Sequence, residues 1–128
     1  MVALVSVVSA GCSNSFSAQI PTGESMKGKW VGTNSGYEQG KSSGASVTFL
    51  IDKASGQSFS GSMNYRYSDG RSGEERIQGS IGKRGDIVIA DKDGLYVNGI
   101  LEKGKLYLQY IEASAQESEA SNLLLEKK

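Results

Sequence analysis

The chain has 128 residues and no net charge, because 14 Lys and Arg residues balance 14 Asp and Glu residues. This length allows one domain. The Lys and Arg residues form no basic stripe of the kind that indicates nucleic-acid binding. The sequence has no His and a single Cys, which excludes a His general base, a disulfide within the chain and a thiolate zinc site. The 17 Gly residues and the single Pro favour short strands and tight turns. An all-β fold is therefore expected.

The first eleven residues form an uncharged, apolar segment that ends on small residues before Cys12. It is too short to span a hydrocarbon core of about 30 Å as a helix, but it has the composition of a secretory signal. Residues 9–12, SAGC, resemble the end of a bacterial lipoprotein signal, with Ser9 where that family has Leu and without the usual positive charges at the start. The resemblance implies lipidation of Cys12, and Ser13 implies the outer membrane, facing the periplasm. The alternative is a buried N-terminal strand with an inert Cys.

This interpretation divides the chain into three segments. A signal-like segment covers residues 1–11, a lipidated Cys with a flexible tether covers 12–26, and a β-barrel domain covers 27–128. The tether is predicted because its residues are mostly polar, rich in Ser and include the only Pro, Pro21.

The domain is predicted to contain eight strands, since apolar and polar residues alternate with the period of two that marks a strand with one buried face. Short turns separate most of them, whereas the polar stretches 34–44 and 68–73 are predicted as loops. Eight antiparallel neighbours can close into an up-and-down barrel, and an open sandwich is the competing topology. The predicted strands cover residues 28–32, 46–52, 57–67, 76–81, 86–90, 95–101, 105–112 and 120–127.

The clearest alternation lies in residues 57–67, where one face carries Phe59, Gly61, Met63, Tyr65 and Tyr67. An apolar residue, a spacer and then Gly recur in two later strands. Glycine inside a strand allows a sharp bend or the close approach of a neighbouring backbone, as a small barrel requires. We expect these roles at four positions: Gly32, Gly61, Gly79 and Gly99.

Residues 28–30, GKW, resemble the Gly-x-Trp start of the calycin barrels. The repeated Gly-containing strands and the short folded part are more similar to avidins than to the longer lipocalins. This resemblance implies an eight-stranded barrel in which Trp30 plugs one end. It does not imply biotin binding, because avidins use several pocket tryptophans and this chain has only Trp30.

The candidate ligand-binding residues are Tyr65 and Tyr67, which lie on the inner face of their strand. We predict that they line a pocket at the barrel mouth, where phenol groups stack against a small ligand and form hydrogen bonds with it. The alternative is that both rings fill the core.

Two acidic stretches are predicted to be structural. Residues 91–94, DKDG, have some likeness to a calcium loop but lack its further acidic ligands, so a hairpin turn is predicted. Residues 117–119, ESE, are predicted as a solvated loop. No catalytic motif, metal site or cofactor site is predicted.

These observations predict a non-enzymatic, membrane-anchored bacterial lipoprotein whose barrel binds a small hydrophobic or aromatic ligand or a protein partner. One alternative is a periplasmic protease inhibitor with residues 13–27 as its inhibitory arm, although the paired cysteines of that family are absent. Another is a structural envelope lipoprotein without a ligand, which predicts a solidly packed interior.

Overall fold

The computed structural model describes residues 20–114 and 116–128. One short helix, α1, precedes eight strands that form a closed antiparallel barrel, in which each strand pairs with its neighbour in the sequence and β8 pairs with β1. The predicted barrel is confirmed, and the open sandwich is wrong. The elements are α1 Gly23–Met26, β1 Gly28–Glu38, β2 Lys41–Ser55, β3 Ser58–Tyr67, β4 Ser72–Ile81, β5 Ile87–Ala90, β6 Leu95–Glu102, β7 Lys105–Ala113 and β8 Ser118–Lys127.

The alternation of apolar residues determines which face of each strand is buried. In β3, Phe59, Gly61 and Met63 are buried while the residues between them are partly or fully exposed. In β7 and β8, every second side chain is buried over most of the strand. The largest fully buried side chains are Trp30, Phe49, Met26, Ile77, Ile87, Ile89, Leu106 and Leu125.

The barrel has a closed end, where α1 packs against β2 and β3. Trp30 is fully buried there and donates a hydrogen bond from Nε1 to the Met26 carbonyl oxygen at 2.8 Å. Thr22 and Ser25 cap α1 reciprocally, and the Gly23 N–H donates to the Gly56 carbonyl oxygen at 2.9 Å. The expected plug by Trp30 is confirmed.

The structure corrects the C-terminal part of the predicted flexible tether. Residues 22–26 belong to the folded part, because Met26 is fully buried and α1 is hydrogen-bonded to the barrel. Polar composition indicated a tether, but the capping residues of a short helix are themselves polar. The signal-like segment, Cys12 and residues 13–19 of the tether lie outside the described residues.

The loop predicted at residues 34–44 is also wrong. β1 continues to Glu38, and a tight turn at Gln39 and Gly40, with φ of 51° and 76°, leads directly into β2 at Lys41. Two left-handed residues suit the twist of a two-residue hairpin. The segment is polar because its strands reach the solvated end of the barrel. Polar side chains are tolerated there on both faces of a strand.

Gly32 and Gly61 have the role that the sequence predicted for the strand glycines. Neither Gly32 nor Gly61 has a positive φ, so their need for Gly is steric. A Cβ on Gly32 would overlap the Leu124 carbonyl oxygen, and a Cβ on Gly61 would overlap the Leu50 carbonyl oxygen. Glycine thus allows neighbouring strands to approach as closely as a small barrel demands.

Candidate functional site at the open end of the barrel

The open end lies opposite α1, where the connections β1–β2, β3–β4, β5–β6 and β7–β8 surround the mouth. A cavity of about 190 Å³ occupies this half of the interior. The barrel is therefore packed at one end and hollow at the other. The cavity is lined by Asn34, Glu38, Ala45, Val47, Met63, Tyr65, Tyr67, Arg71, Glu75, Asp91, Asp93, Tyr96, Tyr110, Glu112, Glu117 and Ser118.

Four tyrosines supply the aromatic part of the wall. Tyr65 and Tyr67 meet edge to face with ring centroids 5.6 Å apart, and Tyr96 and Tyr110 lie 4.7 Å apart at a tilt of 40°. Tyr96 also donates a hydrogen bond to the Met63 sulfur at 2.8 Å. The structure thus places Tyr65 and Tyr67 in the cavity wall at the mouth, as predicted, while their binding of a ligand stays a prediction.

A buried carboxyl group, that of Glu119, lies behind the tyrosines. Glu119 is 5% exposed and accepts hydrogen bonds from Tyr67 Oη at 3.1 Å, and from Asn34 Nδ2 and Ser121 Oγ at 3.4 Å each. Burial raises the pKa of Glu119, and the three hydrogen bonds oppose that rise. Burial and the nearby Glu119 raise the pKa of Tyr67, so its hydroxyl stays protonated and donates.

Asn34 is left with an unused acceptor. The residue is 8% exposed, it faces the interior from β1, and its Oδ1 has no hydrogen-bond partner among the described residues. A buried acceptor without a donor costs about 1–3 kcal/mol. Asn34 is one of the residues that line the cavity.

The rim carries closely spaced carboxyl groups, the first of which is Glu75. Burial, a hydrogen bond with Asp93 and the charges of Asp91 and Asp93 raise the pKa of Glu75 to about 7. Lys92 opposes this rise, with its Nζ 3.7 Å from Glu75 Oε1. The Glu75 carboxyl therefore holds its proton to a higher pH than an ordinary glutamate does.

Glu112 forms a second such group across the mouth. Burial, a hydrogen bond with Glu117 and the charges of Glu117 and Asp93 raise the pKa of Glu112 to about 7, while a hydrogen bond from Tyr110 opposes the rise. The distance from Tyr110 Oη to Glu112 Oε2 is 3.3 Å. Two rim carboxyls thus lose their protons in the same range of pH.

Arg71 is the one basic side chain among the described residues that line the cavity. It forms ion pairs with Glu38 at 2.7 Å and with Asp69 at 2.8 Å, and its guanidinium lies 4.3 Å from the centre of the Tyr67 ring. Hydrogen bonds to Glu38 and Asp69 raise the pKa of Arg71, and hydrogen bonds from the Arg71 backbone N–H and side chain lower the pKa of Asp69. Because the charge of Arg71 is already paired with Glu38 and Asp69, it does not neutralise the other carboxylates at the mouth.

The stretch DKDG forms the predicted turn. Asp91 Oδ1 accepts hydrogen bonds from the backbone N–H groups of Asp93 at 2.8 Å and Gly94 at 2.7 Å. This contact uses the carboxylate to stabilise the β5–β6 connection. Within residues 20–114 and 116–128, no group of three or more acidic, His or Cys side chains could hold a metal ion.

No protein-family model matches the chain, and no curated protein matches it. A solved structure of similar fold is a fluorescence-activating β-barrel obtained by de novo design, with a TM-score of 0.58 and 12% sequence identity. The match covers 83% of this chain and 96% of that one. The likeness is one of fold.

Several residues of the site were not predicted from the sequence. Tyr96 and Tyr110 could have been found, because each occupies an inward position of an alternating strand. Glu119 was assigned to a solvated loop, which is wrong, since it is buried within β8. Asn34 fell in the stretch predicted as a loop, and no local signal marks a polar residue that faces inward.

Proposed function

We propose that this protein is a non-enzymatic binding protein whose barrel holds a small molecule in the cavity at its open end. The observation that carries the proposal is the asymmetry of the interior, which is packed around Trp30 and hollow below the mouth. A structural barrel without a ligand was expected to be packed solid. A cavity of 150 Å³ is large enough for a benzene-sized molecule, and this one has about 190 Å³.

The test is a titration of the protein with benzene-sized aromatic fragments of neutral, cationic and anionic type, followed by amide chemical shifts. At least one fragment should bind at millimolar concentration and shift the amides of Val47, Tyr65 and Tyr96. Tyr65→Leu should weaken that fragment about threefold to tenfold, because an aromatic contact in the wall is lost. The matched control is Tyr37→Leu, since Tyr37 is 64% exposed on the outside of β1.

If no fragment of any charge shifts the amides of the cavity, or if the Tyr65 and Tyr37 variants bind every fragment alike, the cavity is not a binding site. Both variant spectra also report whether the barrel remains folded, so loss of binding is separated from loss of structure.

We further propose that the protein is anchored to a bacterial membrane through a lipid on Cys12. Within the described residues, no helix is both long and apolar enough to cross a membrane. α1 adjoins the closed end, so a tether reaching it from Cys12 would leave the open end turned away from the lipid. The ten residues from Cys12 to Thr22 could span at most about 35 Å.

The anchor predicts incorporation of a labelled fatty acid when the chain is produced in a bacterial host. Cys12→Ala should abolish the label, because the thiol is the only acceptor of the diacylglyceryl group, and should move the protein from the membrane fraction to the aqueous one. A label that persists in the variant, or is absent from both proteins, would contradict the anchor. Comparison of the amide spectra of the variant and the unsubstituted chain is the control for folding.

A further inference from the structure

We propose that the ligand of the cavity is a small organic cation that carries N–H groups, such as a primary ammonium ion attached to an apolar body. This inference rests on the proposed function and names the chemical class that the same site would accept. Three independent features of the cavity point to it: its charge, its aromatic wall and the unused acceptor of Asn34.

The charge of the cavity favours a cation. Six carboxyl side chains line it among the described residues, and the one basic side chain there, Arg71, is already paired with Glu38 and Asp69. An anion would enter against this field, and a neutral molecule would gain nothing from it. A cation would be attracted to the mouth and held by the partly buried Glu75 and Glu112, where charge interactions are stronger than in water.

The aromatic wall suits the same class of ligand. Ring faces attract cations, and the contribution reaches about 2 kcal/mol where the cation is desolvated. The site already contains such a contact, because the Arg71 guanidinium lies over the Tyr67 ring at 4.3 Å. Tyr65, Tyr96 and Tyr110 line the remaining cavity, together with the apolar side chain of Val47. They would cover the apolar body of an amine.

Asn34 distinguishes among cations. Its Oδ1 is an acceptor without a donor, while its amide group already donates to Glu119 at 3.4 Å. An ammonium or guanidinium group has N–H donors for this oxygen, whereas a quaternary ammonium group has none. A hydrogen bond that involves a charged partner contributes more than a neutral one, so this contact should add to affinity.

Titration of Glu75 and Glu112 should make the binding of a cation dependent on pH. Asp91, Asp93, Lys92 and Tyr65 face Glu75, while Glu117, Asp93 and Tyr110 face Glu112. As the pH rises through about 7, both glutamates lose protons and the cavity gains negative charge. Affinity for a cation should therefore rise over the same range, and binding should in turn release protons.

The experiment compares three probes of one shape and different charge: benzylammonium, benzyl alcohol and benzoate. Their dissociation constants are measured by amide chemical shifts at about pH 8 and at about pH 5.5, on either side of the titration. We expect benzylammonium to bind about tenfold tighter than benzyl alcohol at the higher pH and to lose most of this advantage at the lower pH. Benzoate should not bind at either pH.

Two sets of variants locate the effect. Glu75→Gln with Glu112→Gln should remove the dependence on pH and weaken benzylammonium about fivefold to tenfold, while Glu102→Gln, which removes one carboxylate at the closed end, should have no effect. Asn34→Leu should weaken benzylammonium about fivefold and leave benzyltrimethylammonium unchanged, because the latter has no N–H. Amide spectra of each variant report its fold.

The outcomes separate this inference from the proposed function. If benzyl alcohol or benzoate binds in the cavity as well as benzylammonium does, the cation preference is wrong and the binding function stands. If benzylammonium binds but Asn34→Leu weakens the quaternary probe equally, the hydrogen bond to Asn34 is wrong. If none of the probes or fragments enters the cavity, the proposed function fails together with this inference.

Discussion

Replacing Gly32 by Ala should lower the free energy of unfolding by about 3 kcal/mol or more, enough to leave a barrel of this size largely unfolded. Gly32 pairs with Leu125 across the seam at which β8 closes the barrel onto β1. A Cβ at this position would overlap the Leu124 carbonyl oxygen, and it would lie 2.7 Å from the Leu124 carbonyl carbon and 2.9 Å from Leu125 Cα. All of these atoms belong to the backbone, so the clash can be relieved only by separating the two strands.

Gly44→Ala is the matched control for this prediction. Gly44 also lies inside a strand and has no positive φ, but a Cβ there would meet only the Asn34 carbonyl oxygen at 3.5 Å, an ordinary contact. Alanine should be neutral or stabilising by up to about 1 kcal/mol, because it restricts the unfolded chain. Urea unfolding followed by Trp30 fluorescence measures both variants. Equal stability of the two would show that the seam tolerates a side chain.

Trp30→Ala should cost about 3–5 kcal/mol of stability, which is the range for deleting a large, fully buried aromatic side chain. Trp30 is fully buried at the closed end, and its Nε1 donates a hydrogen bond to Met26 at 2.8 Å. The deletion would leave a void in the barrel interior at the closed end and would remove one of the contacts that hold α1 on the barrel. We therefore expect earlier proteolysis within residues 22–27 as well as a lower midpoint of unfolding.

Trp30→Phe separates packing from hydrogen bonding. It keeps an aromatic ring in the core but leaves the Met26 carbonyl oxygen without its donor, so its cost should be smaller, about 1–3 kcal/mol. Because both variants lack the only Trp, unfolding is followed by far-ultraviolet circular dichroism. If the Ala and Phe variants were equally stable, the indole ring would not be the plug that closes this end.

The fold could be predicted to a large extent because strand alternation is a local signal. The inward positions of β3, from Phe59 to Tyr67, are readable from the sequence, and so are the tight turns that follow β4, β5 and β6. The hairpin at Gln39 and Gly40 was missed because its strands are polar at the mouth. Local polarity does not distinguish a loop from a strand whose inner face meets water.

The candidate site was predictable only in part. Tyr65 and Tyr67 were found because they continue an apolar alternation, but the acidic character of the cavity was not. Glu75 lies on β4 and Glu112 on β7, so the two reach the same mouth only when the barrel closes. The raised pKa of each depends on burial and on neighbours that are brought near by strand register.

The sequence by itself determined that the chain forms strands, which face of most strands is buried, and that Gly32 and Gly61 allow strands to approach closely. These properties depend on neighbours two or three residues away, or on the size of a single side chain. The tertiary structure alone decided that the barrel closes, that its open half is hollow and that Asn34, four tyrosines and six carboxyl groups surround the same space. The physical reason is that strand register and closure bring together residues that are distant in the chain, and no local pattern encodes that distance.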